Sequence, residues 1–262
     1  MVDRISVEVT RRCGKACTFC YNASGPASRL AWSPEELLGF VDDCVDHGVR
    51  AVSFGGGEPL LWPPLFEVLA SLRGRCFRSL TTNGLQLPRH LDALVQAAPD
   101  KVHVSIHFPE DAEEVARVVR QVRLLQRRGL RSGVNLLVRR SARPQAAAAW
   151  RVLRAAGIDA ARIVVLPMRG HDTPTPRELL DVTGGERFAS MSCLGGCARS
   201  PRFASIGADK TVAWCSYTQT RRVLPSLDHA GLLAALDGLG LAFCGDDGTG
   251  PRMVAQSTPS RG

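Results

Sequence analysis

Three cysteines, Cys13, Cys17 and Cys20, share one short segment with the spacing C-x3-C-x2-C, directly after an alternating apolar run at Ile5–Thr10. Three thiolates presented this closely can each ligate one iron of a four-iron cubane and leave the fourth iron without a protein ligand. An iron left open in this way accepts a small chelating ligand. Zinc is the competing reading, but zinc sites usually take four protein ligands, and a fourth Cys or His is missing nearby. A second motif, Gly55-Gly56-Gly57-Glu58-Pro59, closes the next apolar run at Ala51–Phe54. Glycines at a strand end allow backbone to approach a ligand closely.

The elements that must position these motifs follow from periodicity. Short runs rich in Val, Ile, Leu or Phe at Ile5–Thr10, Ala51–Phe54, Phe77–Thr82, Val102–His107, Gly133–Val138 and Ile163–Met168 read as buried parallel strands. Helical patterns lie between them. Ser33-Pro34-Glu35-Glu36 supplies an N-cap, a first-turn proline and first-turn acids for a helix to about His47. Pro63–Leu72, Pro88–Ala97, Glu110–Arg128 and Pro144–Ala156 supply the others, and Gly48, Gly129 and Gly157 stand where C-caps are expected. Six βα units predict an α/β chain with a partial (β/α)6 barrel, ligands gathering at the C-terminal strand ends. From Arg169 onward the chain turns rich in Gly, Pro, Ser and Thr, which predicts a small second unit, short of apolar core and held by metal. The expected division is residues 1–170 and 171–262.

C-x3-C-x2-C after the first strand, with Phe19 before the last cysteine, resembles the signature of the radical S-adenosylmethionine (SAM) superfamily, and Gly55–Pro59 resembles its GGE motif. The resemblance covers about residues 4 to 168. It implies a [4Fe–4S] cluster on Cys13, Cys17 and Cys20, whose open iron binds SAM, with Gly55, Gly56, Gly57, Glu58 and Pro59 at the methionine amino group. Thr82 and Asn83 sit in Thr81-Thr82-Asn83-Gly84, which resembles the family's TNG segment. Ser105 stands where the family often places a ribose contact, and Asn135 is a further candidate for the cofactor. Ordinary strand-end capping is the competing reading for each. Cys44 and Cys76 fit better as small buried hydrophobes.

Cys193, Cys197 and Cys215 form a second set, with Cys244 further on. Ser205–Cys215 resembles the hairpin of twitch and SPASM domains, with Lys210 in place of the usual turn glycine. The resemblance implies one auxiliary [4Fe–4S] cluster on Cys193, Cys197 and Cys215; a structural zinc site on the same cysteines is the alternative. Cys244 is either the fourth ligand or a thiol that returns hydrogen to a substrate radical. Cys20-Tyr21-Asn22-Ala23-Ser24-Gly25-Pro26 looks like the aminoglycoside-modifying members, of the neomycin C epimerase and 2-deoxy-scyllo-inosamine dehydrogenase types. The implied reaction is hydrogen abstraction from a hydroxyl-bearing carbon of an aminoglycoside or aminosugar, with net epimerisation through Cys244. Dehydrogenation of a secondary alcohol and modification of a ribosomal peptide stay open; the chain begins at its first strand, which lowers the peptide reading.

Composition bounds the partners. Lys and Arg number 33 against 25 Asp and Glu, a formal net charge of +8, yet the arginines such as Arg117, Arg120, Arg123, Arg127 and Arg128 follow a helix face, and no basic block is interleaved with aromatics. Nucleic acid is therefore not an expected partner. No apolar run reaches the roughly 18 residues of a membrane span, and no signal peptide is evident, so a cytoplasmic enzyme with a carbohydrate-like small-molecule substrate is expected. An electron donor such as flavodoxin or ferredoxin is implied by the resemblance. An aminated substrate would need local carboxylates, for which Glu110, Asp111, Asp172, Asp246 and Asp247 are candidates.

Overall fold

The computed structural model describes residues 2–15, 17–190 and 202–241. Six strands, β1 (Arg4–Thr10), β2 (Ala51–Gly56), β3 (Phe77–Thr82), β4 (Lys101–Ile106), β5 (Ser132–Val138) and β6 (Ile163–Pro167), pair in parallel in sequence order. The helices α1 (Pro34–Asp46), α2 (Leu65–Ser71), α3 (Leu87–Ala97), α4 (Ala112–Arg127) and α5 (Arg143–Ala155) form the crossovers. This is the partial (β/α)6 barrel that the periodicity predicts. Val7, Val9, Phe54, Val104, Leu136 and Val165 are fully buried in the core, while Ser6, Ser53, Thr81, Ser105 and Asn135 of the same strands line a cavity, which explains the alternation within these strands.

Local chemistry sets the boundaries. Ser33 and Glu36 form a capping box around Pro34, with Oγ of Ser33 accepting from the Glu36 N–H at 3.1 Å. Helix α4 starts later than Glu110 because Asp111 is its cap and accepts from the N–H groups of Glu113 and Glu114. The expected helix from Pro63 is displaced: a short 3-10 turn at Pro59–Leu61 comes first, and α2 begins at Leu65. Gly48, Gly129 and Gly157 take φ values of 103°, 81° and 77°, the left-handed helix-ending conformation.

The chain after Met168 extends the sheet. It forms α6 (Pro176–Val182), β7 (Ala189–Ser190), β8 (Phe203–Ile206), β9 (Thr211–Ala213), β10 (Arg222–Val223) and α7 (His229–Leu236). Strand β7 adds to β6 in parallel and β8 to β1 in parallel, giving, among the described residues, a ten-stranded sheet in the order β10-β9-β8-β1-β2-β3-β4-β5-β6-β7. Leu179, Val182, Ile206, Val212, Leu232 and Leu236 belong to the same apolar cluster as the barrel strands. In its described part the segment after Met168 therefore shares the barrel's core. Apolar side chains such as Leu232, Ala235 and Leu236 of α7 are buried by joining the core of the barrel.

Lys210 illustrates the cost of that hairpin. Its φ of 59° lies in the left-handed region where glycine is the easy residue. Its ammonium pairs with Glu36 at 3.1 Å and lies 5.0 Å from the Trp32 ring centroid, while Trp32 donates its indole N–H to the Gly207 carbonyl at 3.2 Å. These contacts dock the turn on the barrel and offset the strain.

One strand residue gives the fold a pH dependence. His103 of β4 packs where a Cβ on Gly133 would fall 2.6 Å from its ring, and burial, aided by Lys101, lowers its pKa to about 4. A depressed histidine takes its proton in the unfolded chain first. Stability is therefore intact above the ordinary value of about 6.5 and lost as pH falls toward 4. The loss at full extent is on the order of 3 kcal/mol. Thermal unfolding followed between pH 7 and pH 4 should show a shallower decline for His103→Gln than for the parent chain; equal slopes would contradict the assignment.

Candidate functional site

The cysteine segment is pinned at its ends by backbone. Cys13 N–H donates to the Gly25 carbonyl and Gly25 N–H to the Arg11 carbonyl, each at 3.1 Å, so residues 12 and 25 form a bridge that closes the loop. Strand β2 then runs on beside the loop's first residues. Gly57 N–H donates to the Thr10 carbonyl at 2.7 Å and Glu58 N–H to the Arg12 carbonyl at 2.8 Å. This approach is what requires glycine. A Cβ at Gly57 would lie 2.4 Å from the Arg12 carbonyl oxygen, and Gly56 has a φ of 116° with its Cβ position 2.5 Å from the Thr10 oxygen.

Glu58 joins the two motifs to the next strand end. Its carboxylate is buried and accepts from Leu60 N–H at 3.1 Å, Thr82 Oγ1 at 2.7 Å and Asn83 N–H at 2.8 Å. Burial pushes its pKa up, and those hydrogen bonds pull it back. Thr82 in turn accepts from Gly84 N–H at 2.9 Å. From the other side, Arg117 of α4 donates to the Asn83 carbonyl at 3.0 Å, and Gln121 donates to the Gly84 carbonyl at 2.7 Å. Arg117 is therefore turned inward, unlike the solvated helix face expected of it. The Asn83 amide ends 3.7 Å from the Cys13 sulfur, as a donor suited to a thiolate.

These parts meet at one cavity of about 390 Å³ at the C-terminal ends of the barrel strands. Cys13, Cys17, Cys20, Gly55, Gly56, Gly57, Thr82, Asn83, Ser105 and Asn135 all line it; Glu58 and Pro59, also expected at the cofactor, do not. Burial pushes the Cys17 thiol up to about 11, while Lys15 pulls it down and Glu114 pushes it up. The Cys20 thiol donates to Asn22 Oδ1 at 2.9 Å. Beneath the loop lies Glu8, whose carboxyl is raised by burial and drawn back by Arg221, Asn22, Arg11 and Tyr21. Cys44 is fully buried in α1, and Cys76 packs partly buried against the core, as expected of both.

The donor set fits an iron–sulfur cubane. No group of three or more Cys, His, Asp or Glu among the described residues converges on a point that could hold a single metal ion. A cubane makes a different demand, one thiolate for each of three irons. The three thiols of this loop meet that demand and present themselves to a common cavity.

Several wall residues were not anticipated. Lys15, His107 and Arg169 line the cavity, and so does the segment Ser216–Thr220 that follows Cys215. Tyr217 of that segment lies against Tyr21, ring centroids 5.1 Å apart, so the residues next to Cys20 and near Cys215 touch. Only the count of two tyrosines in the chain could have singled them out. Cys193, Cys197 and Cys244 lie outside the described residues, as do Asp246 and Asp247. Glu110 pairs with Arg139, Asp111 caps α4, and Asp172 accepts from Ser141 N–H at 2.8 Å and Ser141 Oγ at 2.6 Å. None of these three lines the cavity. No helix of the described residues is long and apolar enough to cross a membrane.

A barrel whose strand ends present a cysteine triplet beside a triglycine turn defines a class. The chain matches the Radical SAM superfamily model over residues 7–175 and belongs to that superfamily. Family membership implies a [4Fe–4S] cluster and SAM as cofactors. Among curated proteins it is similar to a probable GTP 3',8-cyclase of Methanopyrus kandleri, 35% identical over 105 residues, covering 40% of this chain and 34% of that protein. The chain thus spans about a third of the length of such curated relatives. Among solved structures it is similar to Streptococcus suis SuiB bound to S-adenosylmethionine, with a TM-score of 0.69 at 15% identity, covering 91% of this chain and 67% of that one. It is also similar to native anSMEcpe with bound AdoMet, with a TM-score of 0.66 at 15% identity, covering 88% and 80%. At such identities these structures speak for the fold.

Proposed function

We propose that Cys13, Cys17 and Cys20 hold a [4Fe–4S] cluster whose fourth iron binds SAM, and that the chain removes hydrogen from a hydroxyl-bearing carbon of a small carbohydrate-like substrate. The observation that carries the reading is the convergence of the three cysteines, the Gly55–Gly57 backbone and Asn83 on one cavity. Bound there, cluster and SAM would supply reductive cleavage to methionine and a 5′-deoxyadenosyl radical. The chain's own residues have separate tasks. Gly56 and Gly57 bring backbone to the ligand, Ser105 and Asn135 offer hydrogen bonds to a ribose, and Glu58 fixes Thr82 and Asn83. Ile106, Leu137 and Leu166 present apolar surface that keeps water from a reactive carbon.

The finer reading is epimerisation of an aminoglycoside or aminosugar, with Cys244 returning hydrogen from the opposite face. An auxiliary [4Fe–4S] cluster on Cys193, Cys197 and Cys215 would then restore the thiol, with a flavodoxin or ferredoxin as the external reductant. Support for an electron route comes from Ser216–Thr220 on the cavity wall and the Tyr21–Tyr217 contact. Recognition of an amine would rest on Asp246 and Asp247, since no carboxylate of the described residues lines the cavity. The same electron route serves the dehydrogenase reading, in which Cys244 is the fourth ligand and the substrate radical is oxidised to a ketone.

Anaerobic reconstitution and turnover with neomycin-type aminoglycosides in deuterated water tests this. Deuterium at an inverted carbon is expected, together with two cubanes of iron per chain. Cys244→Ala should keep both clusters and SAM cleavage while yielding no inverted product. A carbonyl product, or loss of one cubane in Cys244→Ala, moves the reading to dehydrogenation. Iron near one cubane with zinc bound would instead make the second cysteine set structural.

A further inference from the structure

Lys15 stands between Cys13 and Cys17, and its ammonium is not in solvent. It forms an ion pair with Glu114 of α4, the two side chains being only 10% and 6% exposed. The second carboxylate oxygen of Glu114 accepts from His107 N–H at 2.6 Å and Phe108 N–H at 3.4 Å. The ammonium also lies 5.0 Å from the Phe108 ring centroid, and Phe108 packs on Phe19 of the cysteine loop at 5.4 Å. The cysteine loop is thereby clamped to the end of β4 and the start of α4 by one charge pair and one aromatic pair.

Fold stability does not account for the charges. Burying two ions costs several kcal/mol in desolvation, and well-packed apolar side chains of similar size commonly do as well or better. Two aromatic rings already fasten this loop. What the charges add is a positive and a negative group that both act on Cys17, the ammonium on the wall of the cavity the three thiols share, where a cluster's charge would change by one electron. Cluster potentials respond to net charge and solvent exposure, and fixed charges act strongly where water is excluded.

We propose that the Lys15–Glu114 pair is a charge-compensated clamp that sets the reduction potential of the cluster on Cys13, Cys17 and Cys20. Lys15 and Glu114 are positioning residues here, and the inference rests on the cysteine assignment given above. Lys15 stabilises the reduced, more negative cluster; Glu114 cancels most of that field while holding the ammonium in place. Removing either charge exposes the other.

The test is an EPR-monitored redox titration of reconstituted protein, following the signal that changes on addition of SAM, for Glu114→Gln, Lys15→Met and the double variant. Glu114→Gln should raise the midpoint potential, Lys15→Met should lower it, and the double variant should return close to the parent value. A clamp that acted only through shape would move both single variants the same way or neither, and that result overturns the proposal. If Glu114→Gln fails to assemble a cluster, the fall in Lys15→Met and its recovery in the double variant carry the same decision. Lys15→Met that weakens SAM binding at least tenfold with an unmoved potential assigns Lys15 to the ligand and also overturns it. Parent protein with no SAM-responsive signal overturns the cysteine assignment, and the clamp with it.

Discussion

Replacing Cys13, Cys17 and Cys20 together by alanine should remove one cubane's worth of iron and all reductive cleavage of SAM. The loss is complete because the open iron exists only while three thiolates hold the other three. Neighbouring residues offer no substitute: among the described residues no group of three or more Cys, His, Asp or Glu is placed to hold a single metal ion. Asn83 and Asn22 contact the sulfurs but are poor ligands for iron. Cys44→Ala is the matching control. That thiol is fully buried in α1, does not line the cavity of the three cysteines, and burial pushes it up to about 12. Its removal should cost packing energy of about 1 kcal/mol and leave iron content and 5′-deoxyadenosine formation unchanged. Iron assay and anaerobic product analysis on the two proteins decide the matter. Cleavage retained in the triple variant would mean that the cluster sits elsewhere.

The barrel was legible because its signals are local. Each strand is short and carries buried apolar residues, each barrel helix opens on an N-cap or a proline, and Gly48, Gly129 and Gly157 mark helix ends by their conformation. Ser33 and Glu36 specify a capping box by identity and spacing alone. The cavity wall was legible where a motif marked it, at the three cysteines, Gly55–Gly57, Thr82 and Asn83. It was not legible at Lys15, His107, Arg169 and Ser216–Thr220, which come together only through strand order and a returning loop. Arg117 is instructive. Its place in the helical repeat is that of a solvated arginine, and only the approach of the Thr82–Gly84 turn gives it a carbonyl to bind. The C-terminal segment was legible in part: the hairpin read at Ser205–Cys215 is there as antiparallel β8 and β9, but its place beside β1 carries no local mark. Strand β8 is short and becomes a strand by pairing with β1, far away in sequence.

Gly57→Ala should be strongly damaging, though it adds only one methyl group. The new Cβ would fall 2.4 Å from the Arg12 carbonyl oxygen, 2.8 Å from its carbon and 2.9 Å from the Arg11 carbonyl carbon. All three are backbone atoms of the segment leading into Cys13, so no side chain can swing aside. The end of β2 must separate from the cysteine loop, which breaks the bonds from Gly57 N–H to Thr10 and from Glu58 N–H to Arg12. Overpacking at about 1–3 kcal/mol and two hydrogen bonds at about 1 kcal/mol each give a loss of roughly 3–5 kcal/mol. For a chain of this size the melting temperature should fall on the order of 10 °C. Gly55→Ala separates this from a general intolerance of side chains. A Cβ at Gly55 meets nothing within 4 Å, and no positive φ stands in its way, yet the residue lines the cavity. It should keep the parent melting temperature in the cluster-free protein while weakening SAM binding in the reconstituted one. Calorimetry of both variants without cluster, beside equilibrium binding of SAM with it, reads the two effects apart. Equal melting temperatures for Gly57→Ala and Gly55→Ala would show that the strand end and the cysteine loop are not locked together by backbone.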